Sequence, residues 1–591
     1  MGYYYWLKLL VIICRQVLWS DVITPKLKVL AYADDVLIFL SNPSELSVLL
    51  ELLNLYGRAS NAQLNKDKTV ALSLSGKRQL PWIAALNRAG INVWNDEHNT
   101  NPVMYLGYPL THNKTQLNIF LNSTKEKIQQ QVQILSQRSL SIQGRGMVAN
   151  SLLLSKIWHS IRILPVTKTY LTQIRSIVYQ FVTKKVFPPA SFSTCSRPKK
   201  EGGVAILDPT VQHSALQLRW ILPLIDYADD NHSFLLDIFR HCLKLFSGTK
   251  SAIYPILFSG CRSTPLTSFG CFFNFFRTID TLDISIDWSQ VNHSHIIDFP
   301  LCTIVVSQDR LPSNDLTRLL QKWKQVKIKD GYYLRYPEGR LQEQPIGFRS
   351  RHRHLITDFF RRRDQGHFSI RPEFISLTSR TGTAEMPSDT SDIIKSTLSD
   401  GLPIINLTSK EYRQRFRPVL HQLSELYPRE TQATWSRFWR SSFIHRSHTI
   451  WWRALHNKIS CRDRLHRIIP QFCQSPLCIF CDQLDTQDHF LWGCRIKQQV
   501  WQIIANLFLQ QPEQLTYEHI KSLSTAPLLL KQGLHLDFAT LIATTILSIW
   551  DGNWGWVFRQ ENFWPPRIAA IATLRLRKIE CENRNNHTHN S

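Results

Sequence analysis

Four residues towards the far end of the chain constrain its folding most. Cys478-x2-Cys481-x7-His489-x4-Cys494 is a CCHC set. The two close cysteines can form a knuckle around one ion, and the later histidine and cysteine, on a helical turn or loop, can close a tetrahedron. Zinc accepts this mixture, with sulfur and nitrogen ligands at about 2.3 and 2.0 Å. Four protein ligands leave no open position, so the expected site is structural. The bland alternative is four reduced side chains in a fold that needs no metal; the spacing favours zinc. Cys461 and Cys473 lie nearby and fit the set less well. Of 12 cysteines, five fall between Cys461 and Cys494. That clustering argues for reduced thiols and a metal rather than a secreted disulfide scaffold.

The residues before the cluster read as helical and tryptophan-rich. Arg437, Arg440, Arg446, Arg453 and Lys458 interleave with Trp435, Phe438, Trp439, Phe443 and Trp452. Cations of this kind track phosphates while aromatic rings stack on bases. The competing reading is core: Trp435 and Trp439 share a helical face, which points to their burial. Composition favours a polyanionic partner. Lys plus Arg is 70 against 45 for Asp plus Glu, a net charge of +25. Nucleic acid is the first candidate and an anionic membrane surface the second. The apolar run at residues 9–13 is far shorter than the ~20 residues that span a bilayer, and no clean cleavage site follows it. The expected location is intracellular, nucleus or cytoplasm, without secretion or a membrane partner.

A second constellation lies near the start. Two apolar runs, residues 27–31 and 36–40, flank Tyr32-Ala33-Asp34-Asp35. The runs read as strands and the acidic pair as the turn of a tight hairpin. Adjacent carboxylates on a rigid turn can hold magnesium, which prefers oxygen ligands and keeps waters and substrate phosphates. In two-metal sites such ions stabilise both the attacking and the leaving oxygen. Turn chemistry alone also explains Asp there. A helix is expected next, capped by Asn42 with Glu45 completing a capping box, presenting Leu46, Leu49, Leu50, Leu53 and Tyr56 on one face and ending at Gly57. Residues 66–75 and 103–110 read as further short strands, and 117–224 as mostly helical. A polar glycine-bearing loop interrupts the helical part at 197–203. Residues 378–392 have linker composition. Residues 538–556 and 567–579 read as closing helices, and 583–591 as a disordered tail.

Tyr32-Ala33-Asp34-Asp35 followed by Val36-Leu37-Ile38-Phe39 resembles the Tyr-x-Asp-Asp hairpin of reverse transcriptases. Asn65-Lys66-Asp67-Lys68-Thr69 resembles that family's next motif, Asn-x-x-Lys-Ser/Thr. Tyr105-Leu106-Gly107 is similar to the primer-grip segment of LINE-type enzymes. Leu140-Ser141 with Gly144-Arg145, and the loop Pro198-Lys199-Lys200-Glu201-Gly202-Gly203, resemble segments that follow the polymerase in these elements. The stretch 452–489 resembles the zinc-binding domain found after the reverse transcriptases of non-LTR retrotransposons, with Asp485 where Glu is more usual, a change expected to matter little. By this resemblance Asp34 and Asp35 are the magnesium ligands and catalytic residues. Tyr32 lines the site. Lys68 steadies the leaving pyrophosphate, although a solvated surface lysine explains it nearly as well.

The resemblance implies an α+β fold: a remnant reverse-transcriptase palm over 1–115, a mostly α-helical thumb and connector over 116–230, an uncertain connector over 231–430, a small CCHC zinc domain over 431–510, closing helices over 511–582 and a tail over 583–591. The implied activity is RNA-directed DNA synthesis, with RNA template and DNA primer or target as partners and Mg2+ and structural Zn2+ as cofactors. The family's active site also needs an aspartate on a strand well ahead of the hairpin. Only 31 residues precede Tyr32, with Asp21 the one acidic residue among them. The expectation is therefore a fragment that does not polymerise as written, whose strand apolar faces stay exposed. The rival readings are a non-catalytic basic zinc protein that binds RNA or DNA, and a decayed element without function.

Overall fold

Strand β4 (Asp35–Leu40) organises the first part of the computed structural model. The structure describes residues 5–7, 9–14, 28–33, 35–221, 254–259, 262, 271–306, 313–335, 340–345, 349–380, 393, 396–399, 401–416, 430–441 and 443–588. Asp34, Asp21 and most of the linker at 378–392 lie outside them. The chain forms two compact units that interleave in sequence: 1–123, 158–166 and 212–415 in the first, and 124–157, 167–211 and 416–591 in the second. This grouping cuts across the linear boundaries expected from sequence.

In the first unit β1 (Tyr5–Leu7) pairs in parallel with β5 (Ala62–Leu64). A five-stranded mixed sheet carries the acidic pair. Its order is β3-β4-β2-β6-β7, with β2 at Leu9–Cys14, β3 at Val29–Tyr32, β6 at Val70–Ser73 and β7 at Val93–Asn95. Only the β3–β4 pair is antiparallel. The period of two decides what each face meets. Val36, Ile38 and Leu40 of β4 and Ala71 of β6 pack against helices α1 (Glu45–Ser60) and α2 (Leu80–Arg88) through Leu46, Trp82 and Leu86. Leu37, Phe39, Val70 and Leu72 face the other way, onto Val103, Tyr105 and Leu110. The last three belong to a hairpin, β8 (Val103–Tyr105) and β9 (Tyr108–Leu110), where sequence suggested one strand. Leu106 and Gly107, with φ of 48° and 79°, turn the chain between them.

Three local expectations change. Asn42 does accept the Glu45 amide at 3.1 Å, but Glu45 answers to the Ser41 amide at 2.8 Å instead of to Asn42. The helix runs through Gly57 and ends at Asn61, whose φ of 56° stops it. Tyr56 is exposed, with Val48, Leu52 and Leu55. Strand β3 presents Val29, Leu30 and Tyr32 to solvent, so the expectation of exposed apolar faces holds for this edge strand and not for buried β4. Later in the unit, the basic run at 350–363 forms helix Arg353–Asp364, whose Phe359 packs edge-on to the buried Trp323.

The second unit is helical and is centred on tryptophan. Trp435, Trp439, Trp451, Trp452 and Trp501 are all buried. A buried indole N–H needs an acceptor. Trp439 donates to the Lys199 carbonyl at 3.0 Å, Trp452 to Gly202 at 2.7 Å, Trp451 to Ile520 at 2.8 Å and Trp501 to Leu491 at 2.8 Å. The 197–203 loop is thus a docking strip for the tryptophan helices Gln432–Arg440 and His445–Leu455. Helices Arg495–Phe508, Phe538–Arg559 and Pro565–Thr588 complete the unit. The last is helical through Thr588, so the residues read as tail, 583–588, are ordered helix and only 589–591 lie outside the described residues. Among the described residues no helix is long and apolar enough to cross a membrane.

Candidate metal centre and acidic hairpin

The cage is built by a turn and a helix entry. Leu477 and Leu484 bridge in antiparallel fashion, and Asp482, at φ 56°, reverses the chain between them. The Cys478 amide donates to the Gln483 carbonyl at 2.7 Å, which holds Cys478 and Cys481 on one side of the turn. His489 opens a single wide turn, His489–Gly493, and Cys494 follows at the start of helix Arg495–Phe508. The four ligand atoms all lie within 4.8 Å of one another. Sγ of Cys494 is 3.9 Å from both Cys478 and Cys481, and Cys481 Sγ is 3.2 Å from His489 Nε2. A tetrahedron with Zn–S of about 2.3 Å has S–S edges near 3.8 Å, so the set fits the ion. The thiol–thiol hydrogen bond pushes Cys478 up to about 12 and pulls Cys494 down to about 7. Thiolate is the metal-binding form. Cys461 and Cys473 are buried and free, outside the cage.

Two neighbours matter more than sequence suggested. Asp485 is buried and accepts the Arg462 amide at 2.8 Å, satisfying the start of helix Arg462–Ile468. Its carboxylate is therefore a structural brace, where a minor substitution was expected. Lys497 has a fully buried side chain, 4.0 Å from Asp485 and 3.7 Å from the centre of the Phe490 ring. Burial pushes its ammonium down, while Asp485 and the thiols of Cys478, Cys494 and Cys481 pull it back up. Three thiolates around a divalent ion leave a net negative charge, which this lysine offsets. Sequence reasoning missed it; the signal was a lysine on the stripe of Val500, Trp501 and Ile504.

The acidic hairpin closes as expected: Tyr32 pairs with Asp35 and Ala33 turns at φ 52°. By the alternation of β4, Asp35 falls on the face of Leu37 and Phe39, the face covered by the β8–β9 hairpin. Burial first, and the Asp35 carboxylate second, hold the Tyr105 phenol above its usual range. The acidic hairpin and the Tyr105-Leu106-Gly107 hairpin thus share one face of the sheet, although 70 residues separate Asp35 from Tyr105. His159 clamps the second hairpin, with Nε2 3.1 Å from the Leu106 carbonyl and its ring 4.0 Å from that of Tyr108. Asn65 accepts the Lys68 amide at 3.1 Å and Thr69 Oγ1 donates to the Asn65 carbonyl at 2.8 Å, so these two stitch the turn that leaves Lys68 exposed. Val70 stands level with Val11 and Leu37 in the sheet register. Two residues earlier, Lys68 belongs to the sheet end of Asp35.

The interleaved cations and rings separate. Arg437, Arg440 and Arg446 are exposed and Lys458 is half-buried. Trp435, Phe438, Trp439, Phe443 and Trp452 are core, the reading that the shared helical face of Trp435 and Trp439 pointed to, and not base-stacking platforms. Arg453 is also buried, donating to the Phe187 and Pro188 carbonyls at 3.0 and 3.3 Å. It is not a free surface cation.

Residues 9–110 match the family model for reverse transcriptase (RNA-dependent DNA polymerase), and residues 421–501 match that for zinc-binding in reverse transcriptase. The sheet with the acidic hairpin and the cage thus lie within the two stretches that match reverse-transcriptase family models. A Xenopus laevis protein, the transposon TX1 uncharacterized 149 kDa protein, is 27% identical over 207 residues, which cover 34% of this chain and 15% of that protein. The chain is a relative of the non-LTR retrotransposon reverse transcriptases, with their zinc-binding domain towards its C-terminal end.

Proposed function

We propose that the chain serves RNA-directed DNA synthesis by a non-LTR retrotransposon, binding RNA template and DNA primer or target inside the cell. The observation that carries this reading is the meeting of Asp35 with the Tyr105-Leu106-Gly107 hairpin on one face of the sheet. In the parent reaction Asp34 and Asp35 would hold Mg2+, which supplies charge stabilisation at the transferring phosphoryl group. Tyr32 lines that site, Lys68 approaches it from the same sheet end, and the 105–107 hairpin steadies the primer strand. Residues 1–115 would be the palm part and 431–510 the zinc part. Arg437, Arg440, Arg446 and Lys458 supply the phosphate contacts, and the cage gives these cations a rigid base.

Binding should be salt-dependent. The logarithm of the affinity for duplex should fall by ~0.9 per phosphate neutralised for each unit of log salt. The double variant Arg437→Glu, Arg440→Glu should lower that slope by about 2. Salt-independent binding would contradict the reading.

A second outcome separates binding from catalysis. By the resemblance, a two-metal site needs a further carboxylate beside Asp34 and Asp35. Primer extension by this polypeptide alone, with Mg2+, should therefore give no template-directed product. Synthesis that disappears on Asp34→Ala would overturn this and make the chain a polymerase in its own right. Binding without synthesis would favour the rival reading of a non-catalytic zinc protein for the isolated chain.

A further inference from the structure

Two segments singled out in the sequence meet in the second unit for a reason that the metal centre does not use. Ser141 caps helix Ile142–Val148 by accepting the Gly144 amide at 3.0 Å. That cap presents Arg145, which is 4% exposed, to the end of helix Lys168–Thr183. Arg145 donates from Nε to the Val182 carbonyl at 2.7 Å and from Nη1 to Leu140 at 2.8 Å. Arg453, 7% exposed, is held by Phe187, by Pro188 and by Ser460 Oγ at 3.1 Å. Between them lies a cavity of about 240 Å³, and Lys184 and Arg446 stand at its exposed rim.

The cavity holds four cations and no carboxylate among its lining residues. Arg446 has a partner, Asp551, at 2.6 Å, but Asp551 does not line it. Lys184 makes no hydrogen bond or ion pair with the described residues. The charges act on one another: burial, then Arg145 and Arg446, depress Lys184, and burial, then Arg145, hold Arg453 down to about 10. Buried like charges are costly unless an anion or acceptors offset them. The carbonyl contacts account for one edge of each arginine as a structural pin. Lys184 is solvated at the rim, and it adds a cation free of any carboxylate at the mouth of a cavity already lined by two buried guanidiniums. The rest of the wall is mainly apolar, with Ser139, Thr183 and Thr449 the other polar residues; it includes Val186 and the half-buried Trp550, whose ring centre lies 5.8 Å from Arg453.

We propose that this cavity binds one nucleotide unit, with its phosphate against Lys184, Arg446 and the inner arginines and its base against the apolar wall at Trp550. The proposal rests on the reading of the chain as a nucleic-acid-binding protein. The shared chemistry is a phosphate joined to a planar base. Its source is either one position of a bound single strand or a free nucleotide.

The test uses the full chain. Lys184→Glu reverses the rim charge. Lys184→Asn removes it with a residue that tolerates the left-handed backbone at this position, where φ is 52°. Lys578→Glu, exposed and outside the cavity lining, is the control. Affinity for a labelled single-stranded RNA oligonucleotide should fall about tenfold in Lys184→Glu, with the salt slope reduced by about 0.7 for each phosphate no longer neutralised. It should change less than twofold in the control. Competition by AMP assigns the cavity to a free nucleotide; loss of strand affinity without AMP competition assigns it to the strand. Equal strand affinity in Lys184→Glu and Lys578→Glu, with no AMP effect on melting that depends on Lys184, overturns the proposal. Absence of strand binding by the wild-type chain contradicts the function proposed above, while an AMP-dependent rise in melting temperature that Lys184→Glu abolishes would still uphold the cavity.

Discussion

Chelation of zinc is expected to unfold the segment around residues 470–500 and to lower the melting temperature of the second unit. The reason is local. Between Cys473 and Cys494 regular structure is sparse: an antiparallel bridge of Leu477 with Leu484, a tight turn and one short wide turn. Without an ion the segment keeps a few backbone hydrogen bonds, such as Cys478 N–H to the Gln483 carbonyl, and the Cys481–His489 contact, but loses the anchor that joins its two halves. Structural zinc contributes roughly 10–16 kcal/mol in isolated finger peptides. The packed surroundings here reduce the loss, so about 5 kcal/mol or more is the expected scale. Lys497 adds to it, since removing the thiolates' charge leaves a buried ammonium with Asp485 alone. Hydrogen exchange over 470–500, with and without a chelator, reads the effect directly, and Cys494→Ser should reproduce it. Unchanged melting and unchanged exchange after metal removal would show that the cage is not structural.

Gly203→Ala should be nearly as damaging. An added Cβ would lie 2.1 Å from the Arg197 carbonyl oxygen, a contact with backbone that no rotamer relieves. Gly202 has φ of 81° and a virtual Cβ 2.6 Å from the Trp435 ring. The Gly202 carbonyl also takes the Trp452 indole at 2.7 Å and faces His456 Nε2 at 2.8 Å. Overpacking of this kind costs ~1–3 kcal/mol for side-chain crowding and more where backbone must move. The expected loss is about 3 kcal/mol or above for Gly203→Ala, read by urea denaturation. Gly401→Ala is the useful contrast. Its φ is 78° with nothing within 4 Å, so only the conformational cost of about 1 kcal/mol remains. Similar losses at Gly203 and Gly401 would mean that the docking strip is not where the second unit's stability lies.

These two outcomes concern motifs that were visible before any fold was known. Ligand spacing alone identified Cys478, Cys481, His489 and Cys494, because four donors to one ion must converge however the rest folds. The acidic hairpin was legible for a similar reason: apolar runs with a two-residue turn have few alternatives, and the pairing of Tyr32 with Asp35 is local. Glycines at 202 and 203 were recognised as a motif, but their purpose was not, since the ring that presses on Gly202 and the indole that its carbonyl accepts come from residues 435 and 452. The tryptophan helices were ambiguous for the same reason. An amphipathic stripe of rings and arginines reads equally as core or as a base-stacking surface until the opposite wall is known.

The sequence by itself determined the family motifs, the candidate metal cluster, the positive charge and most helix positions. Each of these depends on spacing within about twenty residues or on composition. Tertiary structure alone decided that Asp35 faces the Tyr105 hairpin, that Arg453 is a buried pin, that Lys497 sits beside the cage and that Lys184 meets Arg145, Arg446 and Arg453 at one cavity. In each case the partners are distant in the chain. Burial and charge proximity are properties of the packed neighbours, and no local pattern encodes who those neighbours are.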